Sequence, residues 1–333
     1  MMATFRRMAV LLLALLTLAG CSALGSDSAP NNNQGSSGAP GAPEKANIKV
    51  AMLPTMDAVP LYLAMESGFF KEAGLEVTPV TVASGADSVA KLVSGEVDIA
   101  FSSWTPFFVA KSKGVADIKL VADATTSATG YSVVSTLPNS PIQSIKDLAG
   151  KRVAITAKLT MSHLLVQAQL KAAGLDPNGV QWAEMGFPQM LPALQGGQVD
   201  AVFLVEPFIQ GAVKAANVRQ VVDTNTGPTT DMPLTGYAAT GPFVSGNKRT
   251  IEAFQRALKK ATDVVKSDRG KVDPLLVKIA KVDPEVAKKT VLVNFTSGLD
   301  PTKIQRVVDL MVEFKALDKR IEAKDMVVRP PAA

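Results

Sequence analysis

The sequence predicts an α/β protein of two lobes, each a mostly parallel sheet flanked by helices, with two hinge crossings between them. Three observations carry this. The stretch Leu92-x-x-Gly95-x-Val97-Asp98-x-x-Phe101 recurs as Leu194-x-x-Gly197-x-Val199-Asp200-x-x-Phe203, every matched position offset by 102. That period is too long for a solenoid or propeller repeat and suits two similar half-folds in one chain. From Ile48 onward, short β-type runs alternate with helical patterns, the sign of βαβ units. Finally, the chain appropriate to two crossings lies near Asp123–Tyr131 and Asp231–Tyr237. With 333 residues and 47% hydrophobic content there is enough chain for two cores.

The elements follow in order. Arg6 and Arg7 precede an apolar run from Met8 to Leu18, closed by Leu18-Ala19-Gly20-Cys21. The run is too short to span a bilayer as a helix and reads as a signal peptide, residues 1–20. Leu-Ala-Gly-Cys is similar to the bacterial lipobox, which implies lipidation of Cys21, the only cysteine of the chain. Two or more acyl chains there supply stable anchoring. Residues 21–46, rich in Ser, Gly, Pro and Asn, read as a flexible tether with a reach of roughly 25–30 Å. The formal charge of +5 falls to +3 without Arg6 and Arg7, and no basic run points to nucleic acid.

Ile48–Leu53 reads as a strand, Ala58–Ala73 as a helix ended by Gly74, and Leu75–Val82 as a strand. Ala86–Ser94, Val97–Ser102, Pro106–Lys113 and Ile118–Ala122 continue as helix, strand, helix, strand, giving a first lobe over 47–128. The second lobe, 129–235, repeats the scheme: Arg152–Thr156, Val180–Glu184, Val199–Leu204 and Val218–Val222 as strands, Met161–Ala173, Gln189–Gln195 and Pro207–Ala216 as helices. Asp176-Pro177-Asn178-Gly179 is turn material and accounts for a two-residue insertion between the copies. A β-like run, Gly236–Val244, opens the return to the first lobe over 236–329. Helices fill the rest, with Lys248–Lys266 the longest pattern. Asp273-Pro274, Asp283-Pro284 and Asp300-Pro301 each read as an N-cap followed by Pro at N1.

In open α/β sheets ligands gather outside the carboxyl ends of the strands, at the N-termini of the following helices. The turns there offer Thr55, Ser84, Ser102, Ser103 and Thr160 as hydroxyl donors, each also an ordinary N-cap candidate. Trp104 offers either core packing or a stacking surface, and Phe187 a further apolar face. Asp57 and Glu206 are each a cap, a lobe-closing partner, or an acceptor for an amino-bearing ligand. Only Lys158 among these turns is basic, so a strongly anionic ligand has to be held mainly by N–H groups and hydroxyls. Asp98 and Asp200 read as structural turn residues.

His163 is the only histidine. A Cys–His pair or a His/Cys metal cluster is therefore excluded, and neither a Walker loop nor a Gly-x-Ser-x-Gly elbow occurs. No metal and no cofactor is expected.

Ala64-Met65-Glu66-Ser67-Gly68-Phe69-Phe70-Lys71-Glu72-Ala73-Gly74-Leu75-Glu76-Val77 resembles the first-helix signature of the nitrate/sulfonate/taurine and thiamine-precursor binding proteins. So do Ser94-Gly95-Glu96-Val97-Asp98 and Gly197-Gln198-Val199-Asp200-Ala201 leading to Glu206-Pro207, while Asp147-Leu148-Ala149-Gly150-Lys151-Arg152-Val153 resembles the entry to the second lobe. The resemblance implies a type II periplasmic-binding fold and a pocket at Asp57, Ser84, Ser102, Ser103, Trp104, Thr160 and Glu206. It also implies a monomer, lipid-anchored and facing the periplasm or cell exterior, that closes over a small organic ligand and delivers it to the permease of an ABC importer. Trp104, Phe187 and Glu206 lean toward a pyrimidine-like or other nitrogen-bearing ligand, the polar helix starts toward a sulfonate or nitrate. The alternative is a cleft enzyme on the same fold acting on a small organic acid. Pyrimidine-synthase relatives use iron and cysteine chemistry, which a chain with only Cys21 does not support.

Overall fold

The computed structural model describes residues 41–329. The expected signal peptide, Cys21 and most of the tether lie outside the described residues. The tether was expected to run to Ala46, but Glu44 and Lys45 are already docked. Glu44 accepts from the backbone N–H of Thr250 at 3.0 Å, and Lys45 N–H donates to Thr250 Oγ1 at 2.9 Å.

The first sheet begins with β1 (Asn47–Met52), α1 (Val59–Glu66), α2 (Phe69–Glu72), β2 (Glu76–Thr81), α3 (Gly85–Val93), β3 (Ile99–Ser103), α4 (Trp104–Ser112) and β4 (Ile118–Thr126). The expected single first helix is broken at Ser67-Gly68, where Gly68 takes φ +76°. The second sheet is built by β5 (Ser132–Thr136), β6 (Arg152–Ile155), α5 (Met161–Ala172), β7 (Gln181–Glu184), α6 (Phe187–Gln195), β8 (Ala201–Val205), α7 (Phe208–Ala216) and β9 (Arg219–Asp223). The chain returns through β10 (Pro233–Thr240), then α8 (Gly241–Gly246), α9 (Lys248–Ser267), α10 (Arg269–Ala280), α11 (Pro284–Lys289), β11 (Asn294–Phe295) and α12 (Pro301–Glu313).

Strand order is β11-β4-β10-β3-β1-β2 in one sheet and β7-β6-β8-β5-β9 in the other. Removing β11 leaves the same pattern twice, with β10 standing in the first sheet where β5 stands in the second. In each sheet three strands are parallel, β2-β1-β3 and β7-β6-β8. The inserted strands β5 and β10 are antiparallel to both neighbours. Direction follows from the path: β4 and β9 end at the rim where the helices start, so a strand entering from the other half starts at that rim and runs away from it. The two crossings lie side by side, with Ser127 N–H donating to Met232 O at 2.8 Å and Met232 N–H to Ser127 Oγ at 2.9 Å.

The repeated aspartates are scaffold. Asp98 accepts the N–H of Lys49 on β1 at 3.0 Å while its own N–H donates to Lys49 O at 2.9 Å. Asp200 does the same with Arg152 on β6, at 2.8 Å in both directions, and adds 3.1 and 2.8 Å bonds from Arg152 Nε and Nη2. Both aspartates thus staple the entry of the third strand to the first strand of their own sheet.

Helix α9 presents Ile251, Phe254, Leu258, Ala261 and Val265 inward at alternating spacings of three and four. It packs on α1 and α2, with Phe254 stacked on Phe70 at 5.5 Å. Asp283 and Asp300 cap α11 and α12 with Pro following, as expected. Asp273-Pro274 does not: α10 starts five residues earlier, at Arg269, capped by Asp268, which accepts from Gly270 N–H at 2.8 Å. Pro274 sits inside that helix, and the added turn buries Val272. No helix among the described residues is long and apolar enough to cross a membrane.

Candidate functional site

The rims of the two sheets are bridged by side chains from both. Asp57, on the turn after β1, is 4% exposed. Its Oδ1 accepts from Thr125 Oγ1 of β4 at 2.8 Å and Thr235 Oγ1 of β10 at 3.3 Å. Its Oδ2 accepts from the Tyr131 hydroxyl at 2.9 Å. Asp57 therefore ties both crossings to the first rim. Burial, with Asp57 next to it, pushes the Tyr131 hydroxyl well above its ordinary pKa.

Tyr131 leads on to Glu206 at the end of β8, whose N–H donates to Tyr131 O at 2.9 Å. The Glu206 carboxylate is fully buried, and burial raises its pKa against the opposing hydrogen bonds. Oε1 accepts from Gln210 Nε2 at 3.0 Å and from Val291 N–H, beside β11, at 3.2 Å. Oε2 receives a bond of 3.4 Å from Gln210 N–H. Of the readings open for Glu206, the structure favours a partner that closes one half on the other. Farther out, Lys214 of α7 pairs with Asp283 at 3.0 Å, and Lys171 of α5 with Glu313 at 2.5 Å.

The other sequence candidates divide. Ser84 caps α3, accepting from Asp87 N–H at 3.1 Å, and is exposed. Thr160 donates to Ala157 O at 2.7 Å within a hydroxyl cluster, Thr156 Oγ1 at 3.1 Å and Ser162 Oγ at 2.8 Å. Thr55 is half-buried without a capping bond, and Ser103 Oγ lies 3.4 Å from Thr105 Oγ1. Phe187 is half-buried, stacked on Phe208 at 5.2 Å.

Trp104 is packed. Its side chain is 0% exposed, packed with Phe107 and pressed on the backbone of β10, where a Cβ at Gly236 would overlap the ring. It starts α4 directly after β3, with no loop between, and its indole belongs to the core cluster, which favours the packing reading over the stacking one. Three buried polar atoms in this region have no protein partner: Ser102 Oγ, Trp104 Nε1 and the Tyr237 hydroxyl.

His163 is buried, 6% exposed. Its Nδ1 accepts from Leu159 N–H at 3.2 Å, its ring meets Trp182 edge-on at 4.6 Å, and burial, with Lys158 nearby, lowers its pKa to about 4. Sequence reasoning missed Tyr131, Thr125 and Thr235. A signal existed: of the three tyrosines, Tyr131 and Tyr237 both lie at the expected crossings.

A family profile described as NMT1/THI5 like matches residues 55–269. The putative aliphatic sulfonates-binding protein of Escherichia coli K12 is 25% identical over 268 residues, 77% of this chain and 80% of that protein. The formylaminopyrimidine-binding protein of Halalkalibacterium halodurans is 27% identical over 192 residues, 58% and 53% of the two chains. The 4-amino-5-hydroxymethyl-2-methylpyrimidine phosphate synthase THI13 of Saccharomyces cerevisiae is 23% identical over 239 residues, covering 68% of each. Among solved structures, the periplasmic aliphatic sulphonate binding protein SsuA of Escherichia coli superposes with a TM-score of 0.71 at 21% identity, over 85% of this chain and 97% of that one. The two-sheet architecture is therefore that of the periplasmic binding proteins.

Proposed function

Because the chain belongs to the NMT1/THI5-like family, we propose that it is an extracytoplasmic solute receptor, capturing a small organic molecule between its two halves and passing it to an ABC importer. The carrying observation is the facing pair of rims, built on one strand pattern and joined at Asp57–Tyr131 and Glu206–Val291. Two crossings lying side by side are the arrangement that hinge closure over a ligand requires. The candidate contacts are Thr55, Ser102, Ser103, Thr160, Phe187 and Glu206. The halves are proposed to divide at the two crossings.

The leader ending in Leu18-Ala19-Gly20-Cys21 supports export and lipid anchoring at Cys21, which places the chain beside a membrane permease; a monomer is the proposed working form. Binding without catalysis is supported by the single histidine, whose Nδ1 is already engaged by Leu159, and by the single cysteine at the expected anchor. Relatives named as binding proteins for aliphatic sulfonates and for a formylaminopyrimidine point the same way. A thermal-shift screen of sulfonates, pyrimidines, amines and aromatic acids tests this. A compound that raises the melting temperature and is recovered unchanged is expected. Conversion of that compound by the purified protein would sink the receptor reading.

A further inference from the structure

We infer that His163 is a proton-released latch on the second rim: its neutral ring holds the turn ahead of α5 in place, and charging the ring frees that turn. The inference concerns a wall of the proposed cleft and is independent of which molecule the cleft takes.

The turn Ala157-Lys158-Leu159-Thr160 leaves the carboxyl end of β6 and enters α5. Leu159 there has φ +63°, a left-handed backbone that is unfavourable for leucine and persists only where the surroundings fix it. Its own side chain, 41% exposed, does not fix it. Its N–H does, donating to His163 Nδ1 at 3.2 Å. His163 is the third residue of α5 after the N-cap Thr160, the place from which a glutamate or glutamine of a capping box reaches back to the N-cap N–H. Thr160 makes no capping bond and turns its hydroxyl to Ala157 O at 2.7 Å, leaving His163 to hold Leu159.

The second observation is the other ring nitrogen. With Nδ1 accepting, the proton of the neutral ring is on Nε2, which is buried without a protein partner while the ring lies edge-on to Trp182 at 4.6 Å. A leucine would fill this place without burying an unbonded nitrogen, so the bond to Leu159 is what the imidazole contributes. A charged imidazole carries a proton on both nitrogens and accepts nothing. Lys158 from the turn and Glu184 from β7 are the charged groups facing the ring, the first opposing its charge and the second favouring it. Burial and Lys158 prevail, lowering the pKa to about 4. The latch is therefore closed at neutral pH and opens as pH falls through about 4, where a glutamine in the same place would stay closed.

Proton–nitrogen NMR of the untagged protein reads the single histidine directly. At pH 7 the ring should carry its proton on Nε2; a proton on Nδ1 overturns the latch. Hydrogen-exchange protection of the Leu159 N–H at pH 7 should be kept in His163→Gln, whose amide oxygen can accept, and fall about tenfold in His163→Leu. Equal protection in the two variants overturns the latch, and the melting temperature of each establishes that it is folded. From pH 7 to about 4 the Leu159 amide signal should move in step with the titration of His163 in the wild type and stay in place in His163→Gln. An amide that does not follow the ring, or that moves equally in the variant, overturns the latch. None of these results touches the receptor reading, which the compound screen decides.

Discussion

Tyr131 holds three parts of the molecule with one side chain and one carbonyl. Its hydroxyl donates to Asp57, its carbonyl accepts from Glu206, and it stands on the first crossing. Tyr131→Phe removes a donor from a buried carboxylate and should lower stability by about 1–3 kcal/mol in urea unfolding, with the fold retained. Trp104 belongs to the same scale. Enclosed against Gly236, Trp104→Ala should cost about 3–5 kcal/mol of stability. A melting temperature close to wild type, with binding lost, would return the indole to the ligand. His163 gives a pH signature. Its folded pKa of about 4 lies below the usual 6.5, so in acid the unfolded chain takes up a proton first. Its contribution to stability is complete above pH 6.5 and is lost as pH falls through about 4. Denaturation curves from pH 7 to 4.5 should therefore fall more steeply for wild type than for His163→Gln; parallel curves would contradict its burial as a neutral ring.

At the scale of elements, the repeat was legible because it is local. Leu-x-x-Gly-x-Val-Asp-x-x-Phe fixes a helix end, a turn needing positive φ at Gly95 and Gly197, and a strand entry, all within ten residues. The Asp98 and Asp200 staples complete it. Asp200→Ala should lower stability by about 1 kcal/mol without changing ligand affinity, since the Arg152 contact is partly exposed. Unchanged stability with reduced affinity would make it a ligand residue. What sequence could not give were features decided by partners far along the chain. The direction of β5 and β10 depends on which rim the chain arrives from, and Ser132-Val133-Val134-Ser135-Thr136 carries no mark of it. Pro274 looked like a helix start because the Asp-Pro pair is a local signal, whereas Asp268 and the burial of Val272 extend the helix over it. The candidate site was half legible: rim positions follow from strand order, but burial sorts Ser84 to an exposed cap, Trp104 to the core and Glu206 to the contact between halves.

For the whole molecule, two half-folds of one pattern share two adjacent crossings, a continuous buried apolar cluster and a set of polar contacts at their rims. A ligand that touches both rims shifts the population toward the closed form. The most direct measurement is mass spectrometry of the purified protein, first under native conditions and then after denaturation. One small organic molecule per chain, released with the mass it had when supplied, is the expected result. A released compound whose mass differs from the one supplied, produced in step with protein concentration, would contradict a receptor and leave a cleft enzyme in its place.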